Sequence, residues 1–331
     1  MRSLQHLSRV ALVVCCMATA SALKAQSGNP ATAKGEARQL LDTAFAPPHL
    51  GAPTYSGNDG PLVLIDEAHH NFHTAAGRYR PFAKLLTNDG FRVGANTQPF
   101  SAQTLANARV LVIANALNAA HTNQADWKAP ALSAFTDGEI AALAKWVNDG
   151  GAVLLIADHM PFAGDAAALA EALGFRITNS FALKGEPDPR TGDYPIVFRR
   201  ADGTLKSNAI TSGRRPAERI DSIVSFTGSA FSFGSTRGDA IMTLPSGTIV
   251  RRPTVAWQFN DSTPTVDGAG MLQGAAARRR DGRVAMFGEA AMFTAQRKGA
   301  ESVAMGMNAT NAAQNPQFIL NVMHWLVKTI P

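Results

Sequence analysis

The sequence predicts an α/β protein, a doubly wound and mostly parallel sheet with helices on both faces and a β-rich insertion. Three observations carry that expectation. From Pro61 onward, short and nearly continuous apolar runs alternate with amphipathic helical stretches. The rhythm breaks at about residues 184–281, where Pro, Gly and Arg are frequent and candidate strands are separated by turns. It resumes in 283-RVAMFGE-289 and a closing helix.

Taken in order, the chain opens with MRSLQHLSR, the apolar run VALVVCCMATASAL and small residues around Ala22 and Ala25. That is the layout of a secretory signal peptide, so residues 1–25 are expected to be removed and the protein exported, to a periplasm or the extracellular space. The run is too short to remain as a membrane anchor, and no later stretch reaches the roughly 18–20 apolar residues of a spanning helix. No stable membrane insertion is expected. Both cysteines, Cys15 and Cys16, fall in the leader, so the exported chain has no thiol and no disulfide. Its charge is mildly basic: losing Arg2, Arg9 and Lys24 leaves 28 bases against 25 acids. The Arg pairs at 199–200, 214–215 and 251–252 and the triplet Arg278 to Arg280 carry no interleaved stacking aromatics, so nucleic acid is not an expected partner.

Residues 26–60 are rich in Gly, Pro, Ala and Ser and read as an extended arm with one short helical candidate, Glu36 to Phe45. Residues 61–331 form the α/β domain. Its strands are 62-LVLID-66, 91-FRVGA-95, 109-RVLVIAN-115 and 152-AVLLIAD-158, apolar almost throughout, as strands covered on both faces must be. Thr74 to Asp89 places Tyr79, Phe82, Leu85 and Leu86 on one helical face, with Gly90 as the stop. Thr136 and Glu139 form a capping box ahead of Ile140, Leu143, Trp146 and Val147. Asp165 reads as the cap of a helix carrying Leu169 and Leu173. Within the insertion, 220-IDSIVSF-226, 248-TIV-250 and 254-TVAW-257 are candidate strands. The last helix reads as capped by Asn315 with Pro316 at its first position. On it His324, Gln317, Asn321 and Lys328 make a polar, solvent-facing stripe.

The strand order, the segment 282-GRVAMFGEAAMFTAQ-296 and the terminal 315-NPQFILNVMHWL-326 together resemble the class I glutamine amidotransferase-like superfamily. The likeness is to an exported or transporter-associated branch, similar to gliding-motility auxiliary and intraflagellar-transport proteins. It covers most of residues 61–183 and 283–328 and implies a flavodoxin-like doubly wound sheet. Superfamily amidotransferases use a cysteine on a sharp turn after a strand. The matching turn here, 157-ADHMPFAG-164, has neither Cys nor Ser at its apex, so thiol chemistry is excluded.

In such a sheet, ligands bind outside the carboxyl ends of the strands. Polar residues gather there: Asp66, Glu67, His69, His70, Asn71 and His73 after the first strand, Asn115 after the third, Asp158 and His159 after the fourth, and Glu289 after the last. One reading is a divalent metal, zinc or manganese, held by Asp66, His69, His73 and Asp158. Glu67, His69, Asp158, His159 and Glu289 are the catalytic candidates of a hydrolase assisted by such a metal or by histidine and carboxylate. Another is a metal-free, non-catalytic site for a small polar ligand such as a saccharide, or a scaffold for a transport partner, with Asn71, Asn115 and Asn308 orienting the ligand. The third is purely structural, with each group satisfied by nearby backbone. Elsewhere, His121 lies in a polar loop, 118-NAAHTNQADW-127, long enough to cover the rim. Gly268, Gly270 and Gly274 make a broken dinucleotide pattern, and Ser229 lacks the nucleophile elbow. Nucleotide and serine-hydrolase chemistry are therefore not expected.

Overall fold

A computed structural model describes residues 39–57 and 59–331. The expected leader and the first part of the arm lie outside these residues. Nine strands form the central sheet: β1 (Leu62–Asp66), β2 (Arg92–Asn96), β3 (Val110–Ala114), β4 (Ala152–Ile156), β5 (Phe175–Ile177), β6 (Phe231–Phe233), β7 (Asp239–Thr243), β8 (Leu272–Arg279) and β9 (Gly282–Phe287). Their order is β2-β1-β3-β4-β9-β8-β6-β5, with β7 also on β8. The pairings β2-β1, β1-β3, β3-β4 and β4-β9 are parallel, and those beyond β9 are antiparallel. The parallel half therefore has the flavodoxin-like order, with its switch point between β1 and β3.

Alternation along the buried strands sends neighbouring residues to opposite faces. Val110, Val112 and Ala114 pack with α1 (Arg80–Asn88) and the last helix, α4 (Asn315–Leu326), on one side. Leu111 and Ile113 pack with α2 (Asp137–Asn148) and α3 (Ala167–Ala172) on the other. The capping box of α2 is present, with Thr136 and Glu139 each satisfying the other's backbone amide. Gly90, at φ +88, ends α1 where an added Cβ would lie 2.2 Å from the Tyr55 carbonyl oxygen.

Several local expectations are corrected. Helix α1 starts at Arg80 rather than Thr74, because Pro81 favours a first helical turn and Thr74 instead closes a turn on Gly77. Asp165 does not cap α3; it is buried, and its carboxylate accepts from His121 Nδ1 at 2.8 Å and Asn118 N at 2.8 Å. Asn315 does not cap α4 either: its amide bonds both the N–H and C=O of Val224, at 3.1 and 2.9 Å, like a neighbouring strand. His324 is fully buried, with Nε2 2.7 Å from Asp89 Oδ2, and Asn321 donates to the carbonyls of Ile210 and Glu218. At His324 and Asn321 the polar stripe of α4 is thus covered, by Thr54 of the arm and by the insertion, whereas Lys328 stays exposed as expected. The helical candidate in the arm is a strand over Gln39–Leu41, paired with Gln296–Lys298; its residues 36–38 lie outside the described ones. The insertion both extends the sheet through β6, β7 and β8 and builds separate small sheets. One joins Phe181–Lys184, Thr248–Arg251 and Thr265–Asp267, and another joins Ile196–Arg199 and Ser222–Ser225. The stretch 254–257 makes only an isolated bridge, Lys128 to Val255.

Candidate functional site

The carboxyl ends of β1, β3, β4 and β9 are stitched together by loops. Phe72 N donates to Asn115 O and Leu117 N to His69 O, zipping the segment after β1 to the segment after β3. Asn115, in the left-handed region at φ +50, accepts from Asp158 N at 3.0 Å and so joins β3 to β4. Apart from Asn308, the polar residues expected at this rim are there, but they fall into two groups.

The first is a closed clamp. His69 Nδ1 lies 2.8 Å from Asp66 Oδ2, and its Nε2 lies 2.8 Å from Glu139 Oε1, at the start of α2. Phe100 and Phe135 flank the ring at 4.5 and 4.7 Å. Burial opposes charge on this imidazole, but the two carboxylates outweigh it and hold its pKa above the ordinary value. Burial likewise opposes ionisation of Glu139. The Thr136 backbone N–H, His69 and the Phe100 N–H overcome it and hold the carboxyl at about 2. Asn96 donates to Asp66, and Asn71 receives the His69 N–H. Glu67 accepts from Ala75 N at 2.8 Å. These groups brace the loop after β1, and both ring nitrogens of His69 are filled by carboxylates.

The second group is open. His159 donates from Nδ1 to Met160 O at 2.7 Å. A carbonyl can only accept, so in the neutral ring Nε2 carries the lone pair. The imidazole stacks on Phe181 at 4.8 Å and 11° and meets the edge of Trp257 at 4.7 Å. Trp257 is partly exposed and sits at φ +66, a conformation that a bulky residue adopts only when its surroundings impose it. Beside His159, Asp158 accepts from His159 N and Ala290 N. Glu289 is buried and accepts from Ala291 N and Met292 N at 2.7 and 2.8 Å. Burial, reinforced by Asp158, still pushes the Glu289 carboxyl well above the usual range. The Tyr79 hydroxyl is raised by burial and by Glu289 and Asp158, and it donates to Ala290 O at 3.3 Å. His73 stacks on Tyr79 at 4.7 Å, and its buried Nδ1 has no partner among the described residues. Burial holds His73 well below its ordinary pKa, with Arg78 and His159 adding to the effect, so it stays neutral.

Among the described residues, no group of three or more His, Cys, Asp and Glu side chains is placed to hold a metal ion. The four residues expected as ligands are divided. Asp66 and His69 close on Glu139, whereas His73 packs on Tyr79 and Asp158 is bound to backbone amides. The zinc or manganese set therefore does not fit. Asn308 is not a rim residue: it donates to Asp42 Oδ2 and Gln296 O, fastening the strand of the arm. His121 does belong to a segment packed beside the rim, because Trp127 of that segment contacts His159 at 6.1 Å. Sequence reasoning missed Glu139, Arg78, Tyr79 and Trp257. Only Arg78 offered a signal, having no acid within four residues on either side.

The fold and rim define an α/β domain of flavodoxin-like strand order that presents acid–base groups at its carboxyl edge. No protein-family profile matches the sequence, and no curated protein matches it. Among solved structures, the mmIFT52 N-terminal domain is similar over 80% of this chain and 96% of its own, with a TM-score of 0.54 at 13% identity. A putative ThuA-like protein from Bacteroides uniformis ATCC 8492 aligns over 83% of this chain and 94% of its own, with a TM-score of 0.43 at 10% identity. The exo-beta-1,4-mannosidase Op5Man5 from Opitutaceae bacterium strain TAV5 aligns over 70% of this chain and 31% of its own, with a TM-score of 0.35 at 13% identity. At such identities the first of these likenesses speaks for the fold alone, which is the α/β fold the sequence implies.

Proposed function

We propose that this chain is a hydrolase acting on a small polar substrate at the β4–β9 rim, with His159 as general base, on an amidotransferase-like scaffold that has no thiol. The observation that carries this reading is the fixed tautomer of His159: Nδ1 is tied to Met160 O, leaving Nε2 as an acceptor within a half-open aromatic box. In the proposed step, Nε2 takes a proton from water as its oxygen bonds to the electrophilic carbon of an ester, amide or glycoside. The bond to the leaving group breaks, and the leaving group takes the proton from His159 Nε2, which returns to its neutral form. Asn115 positions Asp158 and, through it, the backbone of His159. A screen with chromogenic esters, anilides and glycosides tests this. His159→Gln is expected to lower kcat by roughly 10²–10⁴-fold while the melting temperature stays close to that of the parent. The reading fails if no substrate in the screen turns over, or if the variant turns over as fast as the parent.

A further inference from the structure

Arg78 is a cation beside the rim whose charge no described residue answers. Its guanidinium carbon lies 3.9 Å over the centroid of Phe72. Among the described residues it has no ion pair and no hydrogen bond; of the other half-buried arginines only Arg251, 5.5 Å over the Phe259 ring, shares that state, and the rest are held. Arg214 is held by Glu218, Arg200 by backbone carbonyls, and Arg283 by the carbonyls of Trp325 and Ile330. Burial pushes the Arg78 guanidinium down to about 10, and no nearby carboxylate counters it. The imidazole next to it, His73, is neutral, so no second cation shares the position.

A partly buried, unpaired guanidinium is costly, and native proteins normally pair such charges. Phe72 compensates through the ring face, but a guanidinium resting on an aromatic face keeps its N–H edge free to grip two oxygens at once. Phe72 also lies 5.4 Å from Phe162, whose ring is 5.6 Å from His159. Two aromatic rings, Phe72 and Phe162, thus lie between Arg78 and the open imidazole. We infer that Arg78 is an anion subsite, recognising the carboxylate or phosphate-type group of a ligand whose remainder lies against the aromatic box of His159. This deepens the hydrolase reading by naming a charged substrate, and it rests on that reading only for the reaction, not for binding.

The test uses the full chain with inorganic phosphate and with acetate, each compared with chloride at equal ionic strength, by calorimetric titration and thermal melting. One of the two anions is expected to bind saturably, and which one does so distinguishes a phosphate from a carboxylate ligand. Arg78→Met should weaken that binding at least tenfold, and Arg78→Lys should weaken it less. Without anion, Arg78→Met should melt at the same temperature as the parent or higher, because it removes an unpaired buried charge. His159→Gln should bind the anion within about twofold of the parent, so that loss of turnover with retained binding separates the two roles. The inference is overturned if neither anion exceeds chloride, if Arg78→Met binds as the parent does, or if Arg78→Met melts lower in anion-free buffer. The last result would make Arg78 a packing residue.

Discussion

The clamp around His69 and the box around His159 lie at the same edge of one sheet and use the same residue types, yet they are opposites. In the clamp, both ring nitrogens meet carboxylates, and the charges neutralise one another in a buried, aromatic-lined space. In the box, one nitrogen is fixed by a backbone carbonyl while the other is free, and the nearby Arg78 has no anion. A closed network holds loops in place; an open one keeps unanswered hydrogen-bonding capacity for something that arrives from outside. The difference teaches that a histidine with two acidic neighbours is better evidence of structure than of catalysis.

The comparison can be broken most decisively at His69. His69→Leu strands two carboxylates, and urea denaturation should show a loss of about 3–5 kcal/mol, the size typical of removing one member of a buried ionic cluster. His159→Leu should lose far less in the same experiment; equal losses would erase the distinction. A pH series sharpens it further. The folded pKa of His69 is raised above 6.5, so its contribution is present below that value and is lost as pH rises through the folded pKa. Glu139 falls from 4.5 to about 2, so its contribution is present above 4.5 and is lost as pH falls toward 2. The clamp should therefore stabilise most between these limits, and His69→Gln should flatten both limbs of the curve. The smallest effect is expected at Glu289, whose raised pKa makes its folded form increasingly unfavourable as pH rises above the ordinary carboxyl range. Glu289→Gln should cost about 1 kcal/mol at pH 5, where one amide acceptor is lost, and less at pH 9. A cost that grows with pH would show that the carboxylate, rather than the acid, is the form the fold prefers.

Much of the scaffold was legible beforehand. The parallel strands are continuous apolar runs because both faces are buried, and the box at Thr136 and Glu139 is a local hydrogen-bond pattern that survives any tertiary setting. The stripe on α4 was misread because periodicity reports which residues share a face, not what covers that face. Asp89 and the carbonyls that receive Asn321 come from segments far away in the chain. At the rim, the acids and imidazoles themselves were visible, but the partner that closes His69 arrives from helix α2, 70 residues later.

By itself the sequence determined the class of fold, the rim where polar residues gather and the absence of any cysteine after Cys16. These follow from local periodicity, strand-end position and composition. Only the tertiary structure decided which histidine is locked and which is free. Hydrogen bonding is satisfied by whichever groups meet in space, and Asp66, Glu139, Met160 and Trp257 are brought to their imidazoles by the packing of the whole sheet.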